Sequence, residues 1–75
     1  MRLVILGAGA IGGVVGGLLA RANRDVLLLA RGAHLAAIRE RGLRVEAPGE
    51  TFVVHPPVAE HVADWRPGDL VVLAT

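Results

Sequence analysis

The sequence predicts an α/β protein, a parallel sheet that opens with a β-α-β unit and carries an antiparallel hairpin excursion before a further strand. Three observations predict it. Leu3-Val4-Ile5-Leu6 and Val26-Leu27-Leu28-Leu29 are continuous apolar runs, which suit strands covered on both faces. Between them lies a stretch of helical length, and the first run ends in Gly7-Ala8-Gly9-Ala10-Ile11-Gly12.

The first strand spans residues 2–6. Gly7, Gly9 and Gly12 then spell G-x-G-x-x-G, and the spacing has physical meaning only where a strand stops at the first glycine and a helix starts after the second. Gly7 lets the chain turn off the strand, Gly9 leaves the backbone open to a pyrophosphate, and Gly12 lets the helix lie close to the strand. No Ser, Thr, Asp or Asn occupies positions 8–11. The first N–H groups of the helix are therefore left for an outside anion, such as the pyrophosphate of a dinucleotide in a Rossmann-type fold. An alternative is a membrane-spanning or signal helix, because residues 3–20 carry no charge and include three G-x-x-x-G pairs. Six glycines would cost such a helix about 1 kcal/mol each relative to alanine.

The first helix is expected over about Ala10–Ala22, with Ile11, Val14 or Val15, Leu18 and Ala22 on one stripe. Arg21 suits its negative end and Asn23 its left-handed exit. A second strand follows over Asp25–Ala30, and a second helix over about Ala33–Arg41 with Leu35 and Ile38 inward and Gly42 at its end. Leu43–Ala47 and Thr51–His55 flank Pro48-Gly49-Glu50 and read as the hairpin. Val58–Trp65 is assigned a short helix, with Trp65 as a packing anchor beneath the Pro67-Gly68 turn. Asp69–Thr75 makes a third apolar strand.

Successive right-handed crossovers in one direction put both helices on one face of the sheet, leaving the other apolar face bare. The 75 residues are accordingly expected to be an incomplete domain, or to need a partner or a second copy of the chain.

Eight arginines against seven acids give a charge near neutral with no basic run, so nucleic-acid and membrane binding are not indicated. The absence of cysteine leaves no disulfide framework and fits a reducing cytoplasm. His55 and His61 lack ligand-spaced partners, so no metal site is assigned. Glu60 and Asp64 read as a solvated face. His34 reads as a solvated first-turn histidine near the phosphate corner.

The end of the second strand decides cofactor type. A site for NAD places Asp or Glu there to bind the ribose hydroxyls. This chain has Ala30 and Arg31, with no acid between Asp25 and Glu40. A cation at that corner suits the 2′-phosphate of NADP. The missing acid also counts, mildly, against FAD and S-adenosylmethionine.

With these residues in place, Leu6-Gly-Ala-Gly-Ala-Ile-Gly-Gly13, Leu29-Ala-Arg-Gly-Ala-His34 and Asp69-Leu-Val-Val-Leu-Ala74 together resemble the start of the ketopantoate reductase (2-dehydropantoate 2-reductase) family, over the whole chain. The resemblance implies a cytoplasmic oxidoreductase of pantothenate biosynthesis that reduces a small 2-oxo acid to a 2-hydroxy acid with NADPH. It implies that the cofactor is held by Gly7, Ala8, Gly9, Ala10, Ile11 and Gly12 at the pyrophosphate and by Arg31 at the 2′-phosphate. The family's third cofactor contact is a lysine just beyond the third apolar strand, which falls past Thr75. Its catalytic lysine and acid and its helical domain fall further still, so no catalytic residue is assigned, and this piece alone is expected to be inactive. The alternative is a non-catalytic dinucleotide-binding sensor or regulatory module.

Overall fold

A computed structural model describes residues 1–7 and 10–73, with the side chains of residues 10–13 left out of the description. The elements are β1 (Leu3–Leu6), α1 (Ala10–Arg21), β2 (Val26–Leu29), α2 (Gly32–Arg41), β3 (Leu43–Ala47), β4 (Glu50–Val54), β5 (Val58–Ala59) and β6 (Leu70–Leu73). Strands β5, β2, β1 and β6 pair in that order, all parallel, and β3 and β4 form a separate antiparallel ribbon. The predicted class is therefore observed: a parallel sheet begun by a β-α-β unit, with a hairpin excursion.

One element differs from expectation. Val58–Trp65 holds no helix; Val58 and Ala59 instead form β5, pairing with Leu28 and Leu29 on the outer side of β2. Pro56-Pro57 delivers the chain in extended form, and the open edge of β2 offers hydrogen bonds that a short helix would forgo. Leu28 N–H donates to the Pro57 carbonyl at 3.0 Å and Ala30 N–H to the Ala59 carbonyl at 2.9 Å. The apolar strand after Pro67-Gly68 is consequently the fourth of its sheet, β6, and lies against the other side of β1.

Both helices contribute to one face of the sheet. Ile5, Leu28, Ala30, Ile38, Leu43 and Val45 are buried in one cluster, with Leu19, Leu35 and Val72 packed against it. On the opposite face Val4 is buried, but Leu6, Val71 and Leu73 are exposed, Leu73 to 68%. The bare apolar face expected from the crossover rule is thus present at the β1–β6 side. Trp65 is 57% exposed and anchors no core.

Helix α1 sits between sheet and hairpin, and two adjacent glycines make room on its two sides. A Cβ at Gly16 would lie 2.6 Å from Leu28 Cδ2 and 3.3 Å from Ile5 Cδ1, whereas one at Gly17 would run into Val45 Cγ2 of the hairpin. Alternation in β3 turns Leu43 and Val45 inward and Arg44 and Glu46 outward. The Arg21 guanidinium, at the end of α1, stacks 4.1 Å from the Phe52 ring centroid and pairs with Glu50, fastening the helix to β4. Asn23 takes the left-handed conformation at φ 59°, ending the helix where the sequence places its exit.

Across the sheet, Arg2 grips Asp69 with two parallel bonds, Nε to Oδ1 at 3.1 Å and Nη2 to Oδ2 at 2.7 Å. The same arginine donates to the Asp64 carbonyl at 2.8 Å, and Arg66 N–H donates to Asp69 Oδ2 at 2.8 Å. This staple holds the start of β1, the start of β6 and the 64–69 loop in one register. Bonding to Arg2 and to the Arg66 amide holds the Asp69 carboxyl below the usual carboxylate range, and the same pairing raises Arg2.

Candidate functional site: a cleft along the carboxyl ends of the strands

In open α/β sheets ligands bind outside the carboxyl ends of the strands, near the point where strand order reverses. Here the chain steps from β1 outward to β2 and β5, then returns to the other side of β1 as β6, so the reversal lies between β1 and β6. A cleft of about 610 Å³ opens at the carboxyl ends of β1, β2 and β5, lined by Leu6 and Gly7 at the end of β1, Leu29, Ala30 and Arg31 at the end of β2, His34 on α2, and Glu60 and His61 after β5. A second hollow, of about 410 Å³, lies at the opposite edge between residues 23–26 and 54–57, where the strands begin. The strand-end rule favours the first.

Two of the sequence-predicted residues meet in that cleft. Gly7 lies at the end of β1 with φ 90°, the left-handed region where a side chain would be strained, and so performs the sharp turn assigned to it. Arg31 lies on the same cleft. Its backbone is extended at φ −137° and ψ 162°, and it serves as the N-cap of α2 without a side-chain cap hydrogen bond. Its guanidinium is exposed and, among the described residues, forms no ion pair. A cation beside the uncapped start of a helix presents donors and positive potential together.

Ala8 and Gly9 lie outside the described residues. Helix α1 begins at Ala10, three positions after Gly7, so Ala10, Ile11 and Gly12 fall in its first turn, as the motif requires.

The structure brings Glu60 and His61 to the corner where the sequence places His34. Glu60 and Asp64, read as one helical face, share no helix; Glu60 instead borders the cleft one residue beyond β5. His61 follows it, its Nε2 3.9 Å from Glu60 Oε1. His34, three residues after Arg31, also lines the cleft, in keeping with the i, i+3 spacing of a helical face. Strand pairing of 58–59 with 28–29 is what brings Glu60 to this corner, and no local pattern encodes it. The missing signal was the apolar pair Val58-Ala59 directly after two prolines, too short to stand out as a strand.

Comparison with known proteins follows the same lines. The family model described as ketopantoate reductase PanE/ApbA matches residues 3–75. A 2-dehydropantoate 2-reductase from Pyrococcus abyssi is 47% identical over 75 residues, covering 100% of this chain and 24% of the relative. Another from Mesorhizobium japonicum is 44% identical, covering 99% of this chain and 23% of the relative. Among solved structures, the ternary structure of D-mandelate dehydrogenase with NADH and anilino(oxo)acetate superposes with a TM-score of 0.85 at 33% identity, covering 100% of this chain and 25% of that one. The chain therefore spans about a quarter of the length of the relatives it matches.

Proposed function

Because this chain belongs to the ketopantoate reductase family, we propose that it is the N-terminal part of the dinucleotide-binding domain of an NADPH-dependent 2-oxo acid reductase. The observation that carries the reading is the meeting of Gly7 and Arg31 on one cleft at the carboxyl ends of parallel strands. In this reading Gly7, Ala8, Gly9, Ala10, Ile11 and Gly12 receive the pyrophosphate at the start of α1, and Arg31 receives the 2′-phosphate. The residues present suit that group: a left-handed glycine at the turn, a helix beginning three residues on, and an arginine among whose described neighbours none claims its guanidinium. When bound, the dinucleotide supplies the hydride for reduction of the substrate ketone, and this part of the protein orients it. The substrate is a small 2-oxo acid, the class to which the relatives' names refer. Residues that hold it and move its proton belong to the remaining three quarters of the relatives' length.

The test is the dissociation constant of NADPH and of NADH for the full-length protein and for Arg31→Ala and Arg31→Asp, at low and moderate salt. Charge-assisted hydrogen bonds contribute roughly 1.5 to 3 kcal/mol, so NADPH is preferred by on the order of tens to a hundredfold. Exposure of Arg31 puts the value toward the lower end and makes it fall with salt. Arg31→Ala removes most of the preference and Arg31→Asp reverses its direction. Equal binding of the two cofactors by the wild type, or an unmoved ratio in Arg31→Asp, refutes the assignment. Consumption of NADPH with a panel of branched 2-oxo acids tests the activity, and tight binding without turnover on that panel marks a binding module instead.

A further inference from the structure

Cofactor sites of this fold that select NAD carry an acid at the end of the second strand, and this chain has Arg31 there. The fold nevertheless supplies an acid from the neighbouring strand. The register Leu28 to Val58 and Leu29 to Ala59, continued by the Ala30 N–H bond to the Ala59 carbonyl, makes Ala30 and Glu60 the next positions across the ladder. Arg31 and Glu60 therefore leave adjacent strand ends and border the same cleft. They do not pair with each other: the Glu60 carboxylate lies instead beside the His61 imidazole, and its side chain is about half exposed. The charged and titratable groups on the cleft are thus Arg31 and His34 from the β2–α2 side and Glu60 and His61 from the β5 side.

We infer that Glu60 is a specificity-determining residue which opposes Arg31, its carboxylate repelling the 2′-phosphate of NADPH while offering an acceptor to the free ribose hydroxyl of NADH. The inference rests on the proposed reading of the cleft as the dinucleotide site. Two features support it. The backbones of neighbouring strands are only about 5 Å apart, less than the Debye length of about 8 Å at physiological salt, so a carboxylate carried one strand from Arg31 acts on the same ligand with incomplete screening. And since its one charged neighbour among the described residues is the largely exposed His61 at 3.9 Å, a cation only when protonated, no permanent positive charge is paired with Glu60.

The experiment measures dissociation constants of NADPH and NADH for the full-length wild type, Glu60→Gln and Glu60→Lys, at low and moderate salt, with thermal melts of each variant. Coulomb repulsion between one carboxylate and a dianionic phosphate at strand-to-strand distances in a wet site amounts to about three- to tenfold in affinity. Glu60→Gln accordingly tightens NADPH by about that factor at low salt, leaves NADH unchanged or weaker, and loses most of the gain at moderate salt. Glu60→Lys moves the ratio further in the same direction. Unchanged NADPH affinity in both variants, or an equal change for both cofactors, overturns the inference. If Arg31→Ala abolishes the NADPH preference while the Glu60 variants do nothing, the inference alone falls. If the wild type binds neither cofactor, the reading of the cleft falls and takes the inference with it.

Discussion

Replacing Gly17 by alanine sets two effects of opposite sign against each other. A glycine in a helix interior costs about 1 kcal/mol relative to alanine, so at an open site the substitution would stabilise α1 by that amount. Gly17 is not an open site. The added methyl would overlap Val45 Cγ2 and lie 3.2 Å from Val45 Cβ and 3.4 Å from Cγ1, where carbon atoms ordinarily rest at about 3.5–4.0 Å. Val45 cannot turn away, because all three atoms face the methyl, the side chain is β-branched and 1% exposed, and Phe52 is its cross-strand partner on β4. Relief requires the hairpin to ride off the helix, an overpacking cost of about 1–3 kcal/mol. Severe overlap places it in the upper half of that range, so Gly17→Ala is destabilising by a net of about 1–2 kcal/mol. Val45→Ala alone removes two buried methyls and costs about 2 kcal/mol. In the double variant the new methyl occupies vacated space, the overlap with Cγ2 disappears with only the 3.2 Å approach to the retained Cβ left, and the helix keeps its propensity gain. The pair is then more stable than the sum of the singles by about 2 kcal/mol. Chemical denaturation of the four proteins, followed by circular dichroism, measures the cycle. Additivity within about 0.5 kcal/mol, or stabilisation by Gly17→Ala, would refute the packing of α1 against β3.

Two further predictions concern the rest of the fold. The Asp69 carboxyl is held below its ordinary value by Arg2 and the Arg66 amide, so its contribution is fully present above the unfolded value near 4 and is lost as pH falls through the lowered folded value. Asp69→Asn lowers the melting temperature at pH 7 and flattens the acid limb of the stability curve; an acid limb identical to wild type would remove the staple from the account. The exposed face formed by Leu6, Val71 and Leu73 makes the isolated 75-residue chain self-associate, and Val71→Lys with Leu73→Lys suppresses this. Sedimentation velocity reads it, and a monomer at high concentration with native hydrophobics intact contradicts it.

The sequence by itself determined the elements and most of their ends. Four-residue apolar runs, the exits at Asn23 and Gly42 and the hairpin around Pro48-Gly49 are local matters of side-chain periodicity and backbone freedom, and each is found where those rules place it. The turn at Gly7 and the start of α1 at Ala10 were legible for the same reason, since a strand-to-turn-to-helix junction constrains residues adjacent in the chain. Tertiary structure alone decided the rest. Val58-Ala59 became a strand because β2 had an open edge thirty residues earlier in the chain, and only that pairing carried Glu60 to the cleft that Arg31 borders. Gly16 and Gly17 are equivalent in any reading of α1, yet one meets the sheet and the other the hairpin. Trp65 stayed exposed because Arg2 and Asp69, not an aromatic anchor, hold the loop that carries it. Pairings between residues far apart in sequence are selected by which edges and faces remain unsatisfied after local structure has formed, and that is a property of the assembled fold.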